Sequence, residues 1–152
     1  MAPDDEQEGT RANILLIEPN PGDTRLFTES FTEAKLKNTL YTISNGTDAL
    51  DFVHQRGEHA DQPRPDLILL ELKLPGTDGM DVLAELNDEP ALREIPVVVL
   101  LSSELGKDVV ESQGLEADHY VQKPVEPEDF LEFVLEIEGL WFAIVQNSPQ
   151  DD

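Results

Sequence analysis

Cysteine is absent, which excludes disulfides, thiolate chemistry and cysteine-based metal sites. Basic residues are scarce: 10 Lys and Arg face 33 Asp and Glu, a net charge of -23 with neutral His. Nucleic-acid binding needs Lys and Arg to displace phosphate counterions, so no nucleic-acid partner is expected. The same deficit argues against anionic membrane surfaces. No apolar run reaches the roughly 18 residues of a membrane span. The opening MAPDDEQEGT lacks both the basic start and the apolar stretch of a secretory signal. A cytoplasmic location is therefore expected.

The chain has 152 residues, 39% of them hydrophobic, enough for one domain with a real core. Acid is dispersed along the whole chain and forms no single block. Such a surface repels itself at low salt, and molar salt screens most of that cost. A halophilic source is the favoured explanation; the alternative is an acidic protein made for a basic partner.

Residues 1–12 read as a disordered acidic arm, 13–146 as the domain and 147–152 as a polar tail. Short apolar runs at 14–17, 40–43, 67–70 and 95–101 predict buried strands, and Tyr120-Val121 predicts a fifth. Between them lie helical patterns. Leu26, Phe27, Ser30, Phe31 and Ala34 mark the first, with Asp23 as its expected cap. Ala49, Leu50 and Val53 mark the second, with Thr47 as cap. Val82, Leu83 and Leu86 mark a third, extended loosely by Ala91 and Leu92. A polar helix spans 107–113, and a last one runs from about Pro127 to Val145. Five alternations of strand and helix, with four strands apolar throughout, predict an α/β fold. It is a doubly wound five-stranded parallel sheet of (βα)5, flavodoxin-like type.

Sites in such sheets form beyond the carboxyl ends of the strands. That rule selects Glu18, Glu71, Leu101-Ser102 and Lys123. Two acids and a lysine around one point could hold a hard divalent cation and a phosphoryl oxygen. They could equally form an ion pair that locks the loops.

The stretches ILLIEPNPGDTRL, PDLILLELKLPGTDGMDVL, IPVVVLLSS and ADHYVQKPV resemble the receiver domain of two-component response regulators. Asn20-Pro21-Gly22-Asp23, the Pro-Arg-Pro-Asp lead-in and Gly139-Leu140-Trp141-Phe142 resemble the single-domain regulators associated with phytochromes. The resemblance implies a signalling module with a histidine kinase or another signalling protein as partner, and no enzyme activity. In that family an Asp ending the third strand accepts a phosphoryl group, and two acids after the first strand help bind Mg²⁺. A Thr or Ser after the fourth strand contacts the phosphoryl group. A Lys after the fifth pairs with it, and a fifth-strand aromatic swings.

This chain keeps part of that set. Glu18 matches the first acid, Tyr120 the aromatic, Lys123-Pro124 the lysine and its proline, and Pro75 and Gly79 the loop that shapes the site. Pro19 stands where the second acid belongs, Glu71 at the phosphoacceptor and Leu101 at the Thr or Ser, with Ser102 next. Pro19 brings neither carboxylate nor N–H. Leu101 cannot donate a hydrogen bond. Glu71 reaches about 1.5 Å further than Asp, in chemistry that tolerates about 1 Å of misplacement. A degenerate receiver is expected, with no resident cofactor and at most weak Mg²⁺ through Glu18 and Glu71. Two alternatives stay open: a working phosphoacceptor, and a state in which Glu71 mimics the phosphorylated residue.

His54, His59 and His119 have no metal-ligand spacing and are expected at the surface. Met80 is expected in the core, and Asp78 and Asp81 at a cap or in solvent. The last helix carries more apolar residues than one sheet face can cover. A homodimer or a close hetero-pair through Leu140, Trp141 and Phe142 is therefore expected; the alternative is that the end of the helix folds back over the domain's own core.

Overall fold

The protein is represented by a computed structural model that describes residues 12–34, 38–103 and 105–123. The expected arm (Ala12 apart), the tail, Pro124 and the last helix with Leu140, Trp141 and Phe142 lie outside the described residues.

Five parallel strands form one sheet: β1 (Ala12–Ile17), β2 (Asn38–Ile43), β3 (Leu67–Glu71), β4 (Val97–Leu101) and β5 (His119–Gln122). Their spatial order is β2-β1-β3-β4-β5. Four α-helices are described: α1 (Pro21–Ala34), α2 (Gly46–Val53), α3 (Gly79–Asp88) and α4 (Gly106–Ser112), with a short 3₁₀ turn at Gly57–His59.

The order explains which strands the core demands. β1, β3 and β4 are interior strands, and Ile14 to Ile17, Leu67 to Leu70 and Val97 to Leu101 are all buried. Apolar residues without alternation suit strands covered on both faces. The expectation that β2 belongs to this class is not met. It lies at the sheet edge, so Tyr41 and Ile43 are half-buried and Thr42 is exposed. β5, at the other edge, has no buried residue.

Helix ends correct several local expectations. Asn20, and not Asp23, caps α1: its Oδ1 accepts from the Asp23 backbone N–H at 3.0 Å. Asn45, and not Thr47, caps α2, accepting from Asp48 N–H at 2.8 Å. In both cases the capping side chain lies three residues before the N–H that it satisfies. Leu26 belongs to the helical stripe but is 46% exposed, while Phe27 takes the buried position. α3 ends at Asp88; Leu92 is buried from the following turn and Ala91 is exposed. Met80 is half-buried against the core, and Asp78 and Asp81 are exposed.

The histidines are less exposed than expected. His54 Nε2 lies 3.0 Å from Glu85 Oε2, joining α2 to α3. The His59 ring packs on Phe52 with centroids 5.4 Å apart. His119 is half-buried on β5.

Candidate functional site

Parallel strands deliver their last residues to one rim. Ile17 pairs with Leu70, so Glu18 and Glu71, one step further along, fall side by side. β4 and β5 align Leu101 with Gln122, and the Lys123 N–H donates to the Leu101 carbonyl at 2.9 Å. That bond aims the lysine back across the rim. Its ammonium contacts three carboxylates: Glu71 Oε1 at 2.6 Å, Glu18 Oε1 at 2.8 Å and Asp23 Oδ2 at 2.9 Å.

The third acid, Asp23, is expected from sequence only as a helix cap. It comes from the first turn of α1, which the Asn20 cap orients. The available signal was its position, one short loop after Glu18 and on the rim side of the sheet.

The other oxygens are also engaged. Glu18 Oε2 accepts from Asn20 N–H at 3.1 Å, and Glu71 Oε2 accepts from Lys73 N–H at 3.0 Å. Glu18 and Glu71 are only 4% exposed, so their charges are compensated from within the protein. Burial works against the charge on Lys123. Hydrogen bonds to Glu18, Glu71 and Asp23 outweigh it and hold the ammonium well above the usual lysine range. Burial pushes Glu18 up from the ordinary carboxylate value, with the Lys123 bond opposing and Glu71 adding to the rise. Three carboxylates around one ammonium leave the cluster net negative, as the whole chain is.

The remaining rim residues take apolar or distant roles. Leu101 is buried, and Ser102 beside it is exposed. The Leu101 side chain fills the space beside Gly106 at the start of α4; a Cβ there would lie 2.5 Å from Leu101 Cδ2. This position therefore joins β4 to α4 by packing and offers the pocket no hydroxyl. Tyr120 is half-buried against the core, with the Lys107 ammonium 5.4 Å from its ring centre.

The loop after Glu71 is fastened to α2. Gly46 N–H donates to the Pro75 carbonyl at 3.1 Å, and the hydroxyls of Thr47 and Thr77 lie 3.1 Å apart. A Cβ on Gly46 would fall 1.8 Å from the Thr77 carbonyl oxygen, so only glycine allows this approach.

Residues 14–135 match the response regulator receiver domain. The chain belongs to that family. It is 39% identical over 132 residues to response regulator Rcp1 of Synechocystis sp., covering 87% of this chain and 90% of that one. Among solved structures, the bacteriophytochrome response regulator RtBRR superposes with a TM-score of 0.78 at 36% identity, over 84% of this chain and 78% of that one. The Mn²⁺-bound form of Rcp1 superposes with a TM-score of 0.71 at 39% identity, over 86% and 94%. The resemblance to phytochrome-associated regulators is thereby upheld.

Receiver domains bind Mg²⁺ or Mn²⁺ at their acidic site; at that rim this chain presents Glu18 and Glu71 bonded to Lys123, with proline at position 19. Mg²⁺ demands near-octahedral oxygen ligands at about 2.0–2.1 Å. Each carboxylate of the cluster already directs an oxygen at Lys123, and both oxygens of Glu18 and Glu71 are engaged. Among the described residues, no group of three acidic or histidine side chains is disposed to hold a metal.

Proposed function

We propose that this receiver domain is a stand-alone cytoplasmic module that signals through protein contacts without being phosphorylated. It serves a two-component pathway and catalyses no reaction of its own. The observation that supports this most is the engagement of Glu71. Its two carboxylate oxygens are held by Lys123 and by Lys73 N–H. An acceptor for in-line phosphoryl transfer must present a free oxygen in a tightly positioned pocket. Glu71 has the wrong reach, Leu101 supplies no hydroxyl, and Pro19 supplies no ligand. The partner is a histidine kinase or another signalling protein. The apolar sequence of the expected last helix, with Leu140, Trp141 and Phe142, supports pairing through that segment. The dispersed charge of -23 supports a halophilic setting.

The test is intact-mass spectrometry after incubation with acetyl phosphate and Mg²⁺ in molar KCl. The expected result is an unmodified chain. A phosphoryl adduct that disappears in Glu71→Ala and persists in variants of surface Glu residues would contradict the reading.

A second reading is favoured by the 2.6 Å contact between Glu71 and Lys123. A carboxylate that holds this lysine can stand in for a phosphorylated residue. In that case Glu71→Gln weakens partner binding, whereas under the first reading it leaves binding unchanged.

A further inference from the structure

The strand β2 forms one edge of the sheet. Natural edge strands avoid pairing with other chains by carrying charge or proline, by bulging, or by being covered. The first three devices are missing from β2. Residues 38–47 read NTLYTISNGT, with neither a charged residue nor a proline, in a chain of which 28% is charged. The register with β1 runs without interruption from Asn38 to Ile43, so no bulge bends the strand away. Among the described residues, no strand lies on its outer side.

One bond fixes the direction of the backbone groups. The Glu18 N–H donates to the Ile43 carbonyl at 2.9 Å, so Ile43 turns its backbone toward β1. Backbone groups alternate in direction along a strand. Thr39 and Tyr41 therefore also face β1, while Asn38, Leu40 and Thr42 present N–H and C=O outward.

We propose that β2 pairs antiparallel with β2 of a second copy of this chain, joining the two sheets across a two-fold axis at Leu40. Such an axis stands normal to the sheet and keeps every side chain on its own face, so it must pass through a residue and not between two. Leu40 is the middle one of the three outward residues. With the axis there, Leu40 exchanges both bonds with the partner's Leu40, and Asn38 with the partner's Thr42, so every outward N–H finds a carbonyl. Thr39 then opposes the partner's Tyr41, an aromatic–β-branched pair of the kind that stabilises sheets. Tyr41 packs on Phe52 with ring centres 5.5 Å apart yet is only half-buried, so the second copy covers ring surface that one chain leaves open. Charge points the same way. Copies that each carry -23 repel one another, and they approach best where the surface holds no acid, as β2 does. β5 is the opposite edge, so the pairing leaves the β5 side of each chain out of the contact. The pairing goes beyond the phosphorylation-independent reading and stands whether or not that reading holds.

The test uses the full chain in molar KCl, which screens the remaining repulsion. Light scattering through a dilution series is expected to show self-association. Thr42→Pro is the discriminating variant, because Thr42 is exposed and its N–H points outward, so the ladder with β1 is kept. It is expected to weaken the association by at least about tenfold with an unchanged circular dichroism spectrum. A second measurement does not rely on that proline being tolerated. The chain has no cysteine, so a single introduced one is an unambiguous reporter. Bonded antiparallel residues hold their Cα atoms about 5.5 Å apart, within disulfide range. Leu40→Cys is therefore expected to give disulfide-linked dimers under mild oxidation. Thr42→Cys is expected to give none, since the partner's Thr42 lies roughly 14 Å further along the strand. Three results would overturn the proposal: a wild type that stays monomeric up to about 1 mM, a folded Thr42→Pro chain that associates as tightly as wild type, and a Leu40→Cys chain that links no more readily than Thr42→Cys.

Discussion

The interior of the sheet and its carboxyl rim are built from the same strands and obey different rules. In β1, β3 and β4, consecutive side chains are buried and apolar, as an interior parallel strand requires. One residue further along, at Glu18 and Glu71, the chain turns from apolar packing to charge. The departures that the resemblance implies, at Pro19, Glu71 and Leu101, fall at that rim. The interior is constrained by packing whatever the protein does. The rim is constrained by chemistry, and on the proposed reading it is filled by an ion cluster and a leucine in place of a phosphorylation site. On that reading, fold and phosphoryl transfer are separable in this molecule.

The comparison can be broken most forcefully from the interior. Leu69→Ala removes a fully buried side chain from the central strand. It is expected to cost roughly 2–5 kcal/mol in denaturant unfolding, through lost transfer energy and the cavity left behind. The next effect belongs to the whole surface. Raising KCl from about 0.1 M to about 1 M shortens the Debye length from about 10 Å to about 3 Å. The melting temperature should rise steeply over that range as the self-repulsion of -23 charges is screened. A flat profile would instead assign the acidity to a basic partner. The smallest effect is expected at the rim. Glu71→Gln leaves Lys123 bonded to Glu18 and Asp23 and relieves repulsion between neighbouring carboxylates. Its unfolding free energy should differ from wild type by less than about 1 kcal/mol, because lost attraction and relieved repulsion oppose each other. A loss as large as that of Leu69→Ala would mean that the rim carries the fold after all.

Sequence reading recovered the sheet because three of its strands are apolar runs with no alternation, and the βα alternation leaves few topologies. It placed Glu18, Glu71 and Lys123 at one rim for the same reason. It overestimated the burial of β2, since edge position depends on strand order and not on local composition. It misassigned Asp23 and Thr47 as caps, because the two helices begin earlier, at Pro21 and Gly46, where Asn20 and Asn45 cap them. The role of Asp23 at the site was hidden by that error. An acid in a first helical turn is ordinary, and only the lysine arriving from the opposite edge of the sheet gives it a partner. The half-buried settings of His54 and His59 likewise depend on contacts with Glu85 and Phe52 that local spacing does not encode.

The most direct test of the separation between fold and rim chemistry is to rebuild the rim. Pro19→Asp, Glu71→Asp and Leu101→Thr combined should leave the circular dichroism spectrum unchanged and restore a phosphoryl adduct from acetyl phosphate and Mg²⁺, detected by intact mass. Glu71→Asp alone should restore less, and the wild type none. A wild-type chain that takes up phosphate at Glu71, or a folded triple variant that takes up none, would contradict the account.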